Sequence, residues 1–335
     1  MPALATSADP GKIRSLQRVT SHDGFFLICA LDHLSDFAEL LAPDPSTVTY
    51  EQTCHAKLEL ISGLAPSVSA FLLDPLFALG PALASGALPG SVGLMASIET
   101  EGYHGMPGAR QTAFREGWSA RKIKLIGADV CKLLWFYRPD AGTAGHQRDV
   151  VKRLVDECSA LSLPLVVEPI WYPLEGEDPD SEQWKQRRVE GIITSAEEAN
   201  GFGVDMLKVE FPGYVDADEG RRAAAEACRR LDQAISVPWV ILSAGVGFED
   251  FKTQVQIASA AGASGYLAGR SIWRDAVSTY DPQQRGDAVA AARARLEELN
   301  AVARTHGRPF SPAVAPSAAI AAFPEGWYVD WHGPA

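Results

Sequence analysis

A chain of 335 residues is about twice the ~150 of a typical domain, so it holds either two small domains or one large α/β barrel. With 47% hydrophobic and 21% charged residues, 29 Gly and 22 Pro, it has the composition of a folded globular protein, which excludes a disordered or collagen-like chain. Thirty basic against 42 acidic residues leave a net charge of −12, which argues against a nucleic-acid or anionic-membrane partner and means that an anionic ligand must be held by local donors.

The start, Met1 to Arg18, carries no apolar signal core, and no later run reaches the ~20 apolar residues of a membrane span. Cys29, Cys54, Cys131, Cys158 and Cys228 lie far apart with no C-x-x-C pair, which suggests neither a disulfide framework nor a zinc site. A reducing, cytoplasmic protein is expected. Eight short apolar runs follow in order: Phe25–Leu31, Ala70–Leu73, Val92–Ile98, Asp129–Phe136, Leu165–Ile170, Asp205–Glu210, Trp239–Ser243 and Gly265–Ala268. Each is followed by a polar loop and a helical pattern, as at Glu219–Ile235 and at Phe248–Ala261, which stops at Gly262. Near-continuous hydrophobic strands between helices predict parallel strands covered on the outside, and eight such units predict an α/β fold of the (β/α)8 TIM-barrel type. A doubly wound sheet is disfavoured, because no G-x-G-x-x-G follows the first strand.

The prediction is one barrel domain over 1–335, with its core at about residues 24–305 and a C-terminal tail at 307–335. Two stretches read as loop additions at strand ends, the Gly/Pro loop Gly102–Thr112 and the charged stretch Leu174–Glu190. The tail carries Phe323, Trp327, Tyr328 and Trp331, aromatics dense enough to dock on the barrel or on another subunit, and a homo-oligomer is expected.

Chemistry is signalled by charged residues inside otherwise apolar strands. Lys132, Glu168, Lys208 and Glu210 are such residues, and Asp32 closes the first strand. A single strand lysine is usually an ion-pair partner, but burying several charges costs several kcal/mol per ion, so a cluster is tolerated chiefly where it works. All five are expected near the C-terminal strand ends, where barrel enzymes build their sites. Period-two alternation lets Lys208 and Glu210 both face inward. Lost solvation and a second lysine nearby disfavour the ammonium form of Lys208 and expose a nucleophilic amine. That amine can attack a ketone to form a Schiff base while Glu168 moves protons, the equipment of a class I aldolase or a related imine-forming lyase. Ser243-Ala244-Gly245-Val246-Gly247 after strand seven and Gly269-Arg270 after strand eight form glycine loops leading into helix N-termini, the recurrent barrel phosphate site. His33 reads as a loop residue, Trp135-Phe136-Tyr137 as packing with Tyr137 able to line the site, and no His cluster suggests a metal.

The chain resembles the tagatose 1,6-bisphosphate aldolase family, a group of Schiff-base aldolases that includes the sulfofructose 1-phosphate aldolases. The resemblance rests on Ala30-Leu31-Asp32, Leu72-Leu73-Asp74-Pro75, Glu101-Gly102-Tyr103, the segment from Trp118 to Lys124 with Gly127-Ala128-Asp129, Lys132-Leu133-Leu134, Glu168-Pro169-Ile170, Asp205 to Pro212, Leu242 to Val246, and Gly262 to Arg270, in family order. It implies a metal-free and cofactor-free barrel in which Lys208 is the Schiff-base lysine, Glu168 the general acid/base, Lys132 the companion lysine and Asp32 the acidic residue ending strand one. Ser243, Gly245, Gly269 and Arg270 fall on its phosphate-binding loops. The implied reaction is retro-aldol cleavage of a ketose 1-phosphate or 1,6-bisphosphate to dihydroxyacetone phosphate and an aldehyde. One position departs: family members often continue strand one as Asp-Gln-Arg or Asp-His-Arg, and here Asp32-His33 is followed by Leu34. The missing arginine bears on the far end of the sugar. A second phosphate there falls to Arg110, Lys185, Arg187 or Arg188, or is replaced by a sulfonate or a neutral group. Tagatose-type bisphosphate stands ahead of sulfofructose 1-phosphate as the expected substrate, with a non-catalytic phosphosugar-binding barrel as the remaining alternative.

Overall fold

The computed structural model describes residues 9–100, 109–279, 282–311, 314–329 and 331. Helix α1 (Pro10–Arg18) precedes strand β1 (Phe26–Leu31), followed by α2 (Ser35–Leu41), α3 (Tyr50–Leu64), β2 (Ala70–Leu73), α4 (Leu79–Ser85) and β3 (Gly93–Ser97). Then come α5 (Ala120–Leu125), β4 (Val130–Phe136), α6 (Ala144–Ala160), β5 (Leu165–Ile170), α7 (Glu182–Gly201), β6 (Met206–Val209), α8 (Asp218–Ala234) and β7 (Trp239–Leu242). The order ends with α9 (Phe248–Ala261), β8 (Gly265–Ala268), α10 (Arg270–Val277), α11 (Pro282–His306) and α12 (Pro316–Ala322). The eight strands pair in parallel and in sequence order, and β8 pairs back onto β1 to close the (β/α)8 barrel.

Local chemistry explains the elements. Thr49 and Gln52 form a reciprocal capping box that starts α3. Helix α8 buries Ala224, Ala227, Cys228 and Leu231, a stripe at helical spacing against the sheet. The closing seam depends on Gly265. Its φ is +137°, and a Cβ there would meet the Phe26 carbonyl oxygen at 2.1 Å, so only glycine lets β8 approach β1 in this register.

The strands are buried on both faces, and period two divides their residues into two cores. Phe26, Ile28, Leu72, Met95, Val130, Val166, Met206, Val240 and Leu267 fill the barrel interior. Leu27, Cys29, Leu31, Cys131, Leu133, Leu207 and Ile241 face the helical layer. All five cysteines are buried and unpaired. Among the described residues no helix is long and apolar enough to cross a membrane.

The predicted strands stand within a residue of their observed limits at each end, and the helix predicted at Glu219–Ile235 lies one residue earlier, at Asp218–Ala234. Leu174–Glu190 resolves into a turn and the first half of α7, whose N-cap Ser181 accepts from the Trp184 N–H at 3.2 Å. Most of the predicted Gly102–Thr112 loop, and the Glu101-Gly102-Tyr103 segment of the family resemblance, lie outside the described residues. After α11 the chain reaches the N-terminal face of the barrel, where the Phe310 N–H donates to the Gly24 carbonyl at 2.8 Å and its ring packs on Phe26. Helix α12 buries no residue, and Trp327 packs on Phe323, Tyr328 and Trp331 rather than on the barrel.

Candidate active site

On β1, β3, β4, β5 and β6 the inward row of side chains runs from apolar to charged toward the C-terminal mouth. On β4 Val130 is followed two residues on by Lys132, on β5 Val166 by Glu168, on β6 Met206 by Lys208, and on β1 Ile28 and Ala30 lead to Asp32. The same period on β3 runs Met95, Ser97, Glu99. Lys132 is not at a strand end as expected: it is the third of seven residues in β4, which runs on to Phe136. Its long side chain nonetheless brings the ammonium to Asp32, just past the end of β1.

These rows meet in one charged cluster under a cavity of about 540 Å³ at the mouth. Lys132 Nζ lies 2.9 Å from Asp32 Oδ2, 2.6 Å from Glu99 Oε1 and 3.0 Å from Glu168 Oε2. Three carboxylates thus face an ammonium that has three protons to donate. Burial works against the charge of Lys132, but the carboxylates outweigh it and hold its pKa well above the ordinary lysine value. Among the described residues Lys208 Nζ forms one ion pair, with Glu168 Oε1 at 2.8 Å. Glu168 therefore bridges the two lysines, and despite its burial their charges hold its carboxyl below the usual range. Asp32 is likewise buried, and Lys132 and then Lys208 hold it far below an ordinary aspartate. Of the two lysines, Lys132 is fixed as a cation among three carboxylates, and Lys208 pairs with Glu168.

Glu99 is the member of this cluster that sequence reading missed. Its Oε2 is buried without a hydrogen-bond partner, an acceptor facing the site. The signal was present, since Glu99 continues the alternation of β3, but it stands just beyond the apolar run. Glu210 lines the cavity as predicted, yet it is committed elsewhere: its carboxylate accepts from the Trp171 N–H and from Arg188, both at 2.7 Å. Tyr137 does not line the cavity. It stacks on Trp135 with ring centroids 3.9 Å apart and donates to Glu198 at 2.6 Å, leaving Phe136 to face the site.

The loops after β7 and β8 form the opposite wall. Ser243 Oγ accepts from the Gly269 N–H at 3.4 Å, tying the two loops together. Gly245 has φ +74°, and a Cβ would stand 3.1 Å from Arg274 Nη2 and 3.4 Å from Arg270 Nε, so two guanidinium groups flank its backbone. A Cβ on Gly269 would lie 2.6 Å from the His33 ring. Arg270 lines the cavity but is not a bare cation, because Nη1 donates to Asp36 on α2 at 2.6 Å while Nε is buried without an acceptor. Asp36 and Arg274 carry no sequence signal, since only the fold brings α2 and α10 beside the β7 loop. His33 stands edge-on to Trp273, and burial, with Lys208, Arg270 and Lys57 adding to it against Asp32, pushes its pKa down to about 4.

Of the four basic residues proposed for a distal anion, Arg110 lines the cavity. Lys185 pairs with Glu182 on the surface, Arg187 with Glu177 and Asp140, and Arg188 with Glu210. Arg115, which sequence reading passed over, lines it as well. Among the described residues no His, Cys, Asp and Glu cluster is arranged to hold a metal ion.

The chain and its fold have counterparts among known proteins. The chain is 29% identical over 311 residues to a tagatose 1,6-diphosphate aldolase of Enterococcus faecalis, covering 88% of this chain and 94% of that one. It is 29% identical over 325 residues to the tagatose 1,6-diphosphate aldolase of Lactococcus lactis subsp. lactis, at 90% and 98% coverage. In fold it resembles an archaeal fructose-1,6-bisphosphate aldolase solved with its catalytic lysine bound to a carbinolamine intermediate (18% identity, TM-score 0.59, 86% of this chain and 99% of that one). The fructose-bisphosphate aldolase of Plasmodium falciparum is similar at 14% identity and TM-score 0.66, over 92% of this chain and 99% of that one. A family model matches residues 33–275, a span that takes in Lys132, Glu168, Lys208 and both glycine loops, and by that match the chain belongs to the DeoC/LacD aldolase family.

Proposed function

We propose that the protein is a Schiff-base aldolase that cleaves a ketose 1-phosphate or 1,6-bisphosphate of the tagatose type into dihydroxyacetone phosphate and an aldehyde. The observation that carries this is the unequal pairing of the two lysines: Lys132 is locked by three carboxylates, whereas Lys208 has only Glu168, at 2.8 Å. Lys208 passes a proton to Glu168 and its amine attacks the C2 carbonyl of the substrate. Glu168 gives that proton to the carbinolamine hydroxyl, which leaves as water, so that a protonated imine forms and Glu168 is again a carboxylate. Glu168 then accepts the proton of the C4 hydroxyl, the C3–C4 bond breaks, and its electron pair moves into the imine to give an enamine. The aldehyde leaves. Glu168 returns its proton to C3, and water hydrolyses the imine to release dihydroxyacetone phosphate and free Lys208. Asp32 and the second oxygen of Glu99 accept hydroxyls of the substrate. Lys132 positions Asp32, Glu99 and Glu168 through its three contacts with them.

The C1 phosphate is received by the Ser243–Gly245 and Gly269–Arg270 loops. Asp36 shares Arg270 with the incoming phosphate and must give up part of that contact. Borohydride added with dihydroxyacetone phosphate is expected to fix one stable adduct on Lys208, readable by mass spectrometry, with parallel loss of activity and no effect of EDTA. Lys208→Ala is expected to lose the adduct and at least about 10³-fold in kcat. An adduct that persists in Lys208→Ala, or none in the wild type, overturns the reading.

A further inference from the structure

The chemistry above uses Glu99 at the end of β3 but not Arg115, which lines the same cavity from further along the chain. In the closed barrel β3 stands diametrically across from β7, with Lys132, Glu168 and Lys208 on the intervening strands β4, β5 and β6. The segment that follows β3 is pinned to its end. The Thr100 N–H donates to the Ala113 carbonyl at 2.9 Å, the Arg115 N–H to the Ile98 carbonyl at 3.1 Å, and Trp118 Nε1 to the Ser97 carbonyl at 2.9 Å. Fully buried Gln147 accepts from the Thr112 N–H at 2.8 Å and donates to the Phe136 carbonyl at 2.6 Å, tying the same segment to β4. Arg115 is thus presented to the cavity from a braced backbone.

Its environment differs from that of the other cavity cations. Lys132, Lys208 and Arg270 each face a carboxylate. Among the described residues no carboxylate pairs with Arg115, and its Nε is buried without an acceptor. A desolvated guanidinium N–H without a partner is rare in a folded protein and points to an acceptor brought by a ligand. Arg110 lines the same cavity, with its guanidinium over the Phe136 ring at 4.4 Å.

We propose that Arg115 is a specificity-determining residue, holding a tetrahedral oxyanion, phosphate or sulfonate, at the far end of a ketose 1-phosphate. This rests on the aldolase reading above. A ketose with its C1 phosphate on the β7 and β8 loops and C2 at Lys208 extends across the mouth toward β3, so its last carbon approaches Arg115. The grip supplied in the resembling family by an arginine after strand one, where this chain has Leu34, is here supplied from the segment after β3.

The test compares kcat/KM on three substrates, a ketose 1-phosphate with an uncharged end, a ketose 1,6-bisphosphate and sulfofructose 1-phosphate, for the wild type, Arg115→Gln and Arg115→Lys. The wild type is expected to prefer at least one anion-tipped substrate, and which one identifies the oxyanion. Arg115→Gln is expected to lower kcat/KM on that substrate by about 10- to 100-fold, through KM, and to leave the uncharged-end substrate within about two-fold. Arg115→Lys is expected to recover part of the loss. Equal loss on all three substrates makes Arg115 structural and overturns the proposal, as does no loss at all or a wild type indifferent to the distal charge. If the wild type also fails to trap dihydroxyacetone phosphate on Lys208, the aldolase reading itself has failed. Intact trapping without distal preference defeats the Arg115 proposal alone.

Discussion

In the proposed reaction, the attacking lysine is told from its companion by how many carboxylates each one meets. Lys132, Glu168 and Lys208 are legible in the sequence because a charge inside an apolar strand is conspicuous. Their division of labour is not, since Asp32, Glu99 and Glu168 come from three different strands to surround Lys132. His33 illustrates the same limit. In the chain it is a loop histidine; in the fold, burial holds it neutral down to about pH 4. Between the ordinary value of about 6.5 and about 4 the unfolded chain binds a proton that the native state refuses, so stability rises with pH there. Its contribution is fully present above about pH 6.5, on the order of 3 kcal/mol, and is lost by about pH 4. Asp32 and Glu168, whose carboxyls are held low, lose their contribution only at still lower pH, as it falls below the ordinary carboxylate values. Denaturant unfolding of His33→Gln against the wild type is expected to show a flatter pH dependence between about 6.5 and 4, and an unchanged slope would remove His33 from this account.

Among the elements, the eight strands are readable because burial on both faces makes each a nearly unbroken apolar run. Their ends are less so, because the last residue of a strand is fixed by what its neighbours pair with. How an element is anchored is less legible still. Lys57 reads as one more lysine on a helix, yet it is wholly buried. From α3 its ammonium donates to the Leu31 carbonyl at 2.8 Å and the His33 carbonyl at 2.7 Å, and it pairs with the buried Asp74. The two carbonyls flank Asp32, so this one side chain fixes the backbone that presents Asp32 to Lys132. Lys57→Met is expected to cost about 3–5 kcal/mol in denaturant unfolding, because it strands the Asp74 carboxylate in the core. A loss below about 1 kcal/mol would show that water or a neighbour satisfies Asp74 instead.

For the whole molecule, closure of the barrel sets the two walls of the site against each other and sends the tail to the far face. Under a net charge of −12, the cavity sets Arg110, Arg115, Lys132, Lys208 and Arg270 among Asp32, Asp36, Glu99, Glu168 and Glu210, so any anion held there depends on local donors and not on an overall field. Phe310 packs on Phe26 at the start of β1, and α12 buries nothing. A chain ended after Ser311 is therefore expected to keep kcat/KM within about two-fold of the full-length protein. A larger loss in coupled retro-aldol assays would mean that the aromatic tail reaches the site.

The sequence by itself determined the strand count, the parallel architecture and the charged rows at the strand ends, because burial periodicity is written along the chain one element at a time. Only the tertiary structure shows that Glu99 joins the cluster, that Glu210 pairs with Arg188, that Asp36 pairs with Arg270, and that Arg115 lines the cavity. Each of these is a contact between residues far apart in sequence, and only closing the barrel fixes their distances.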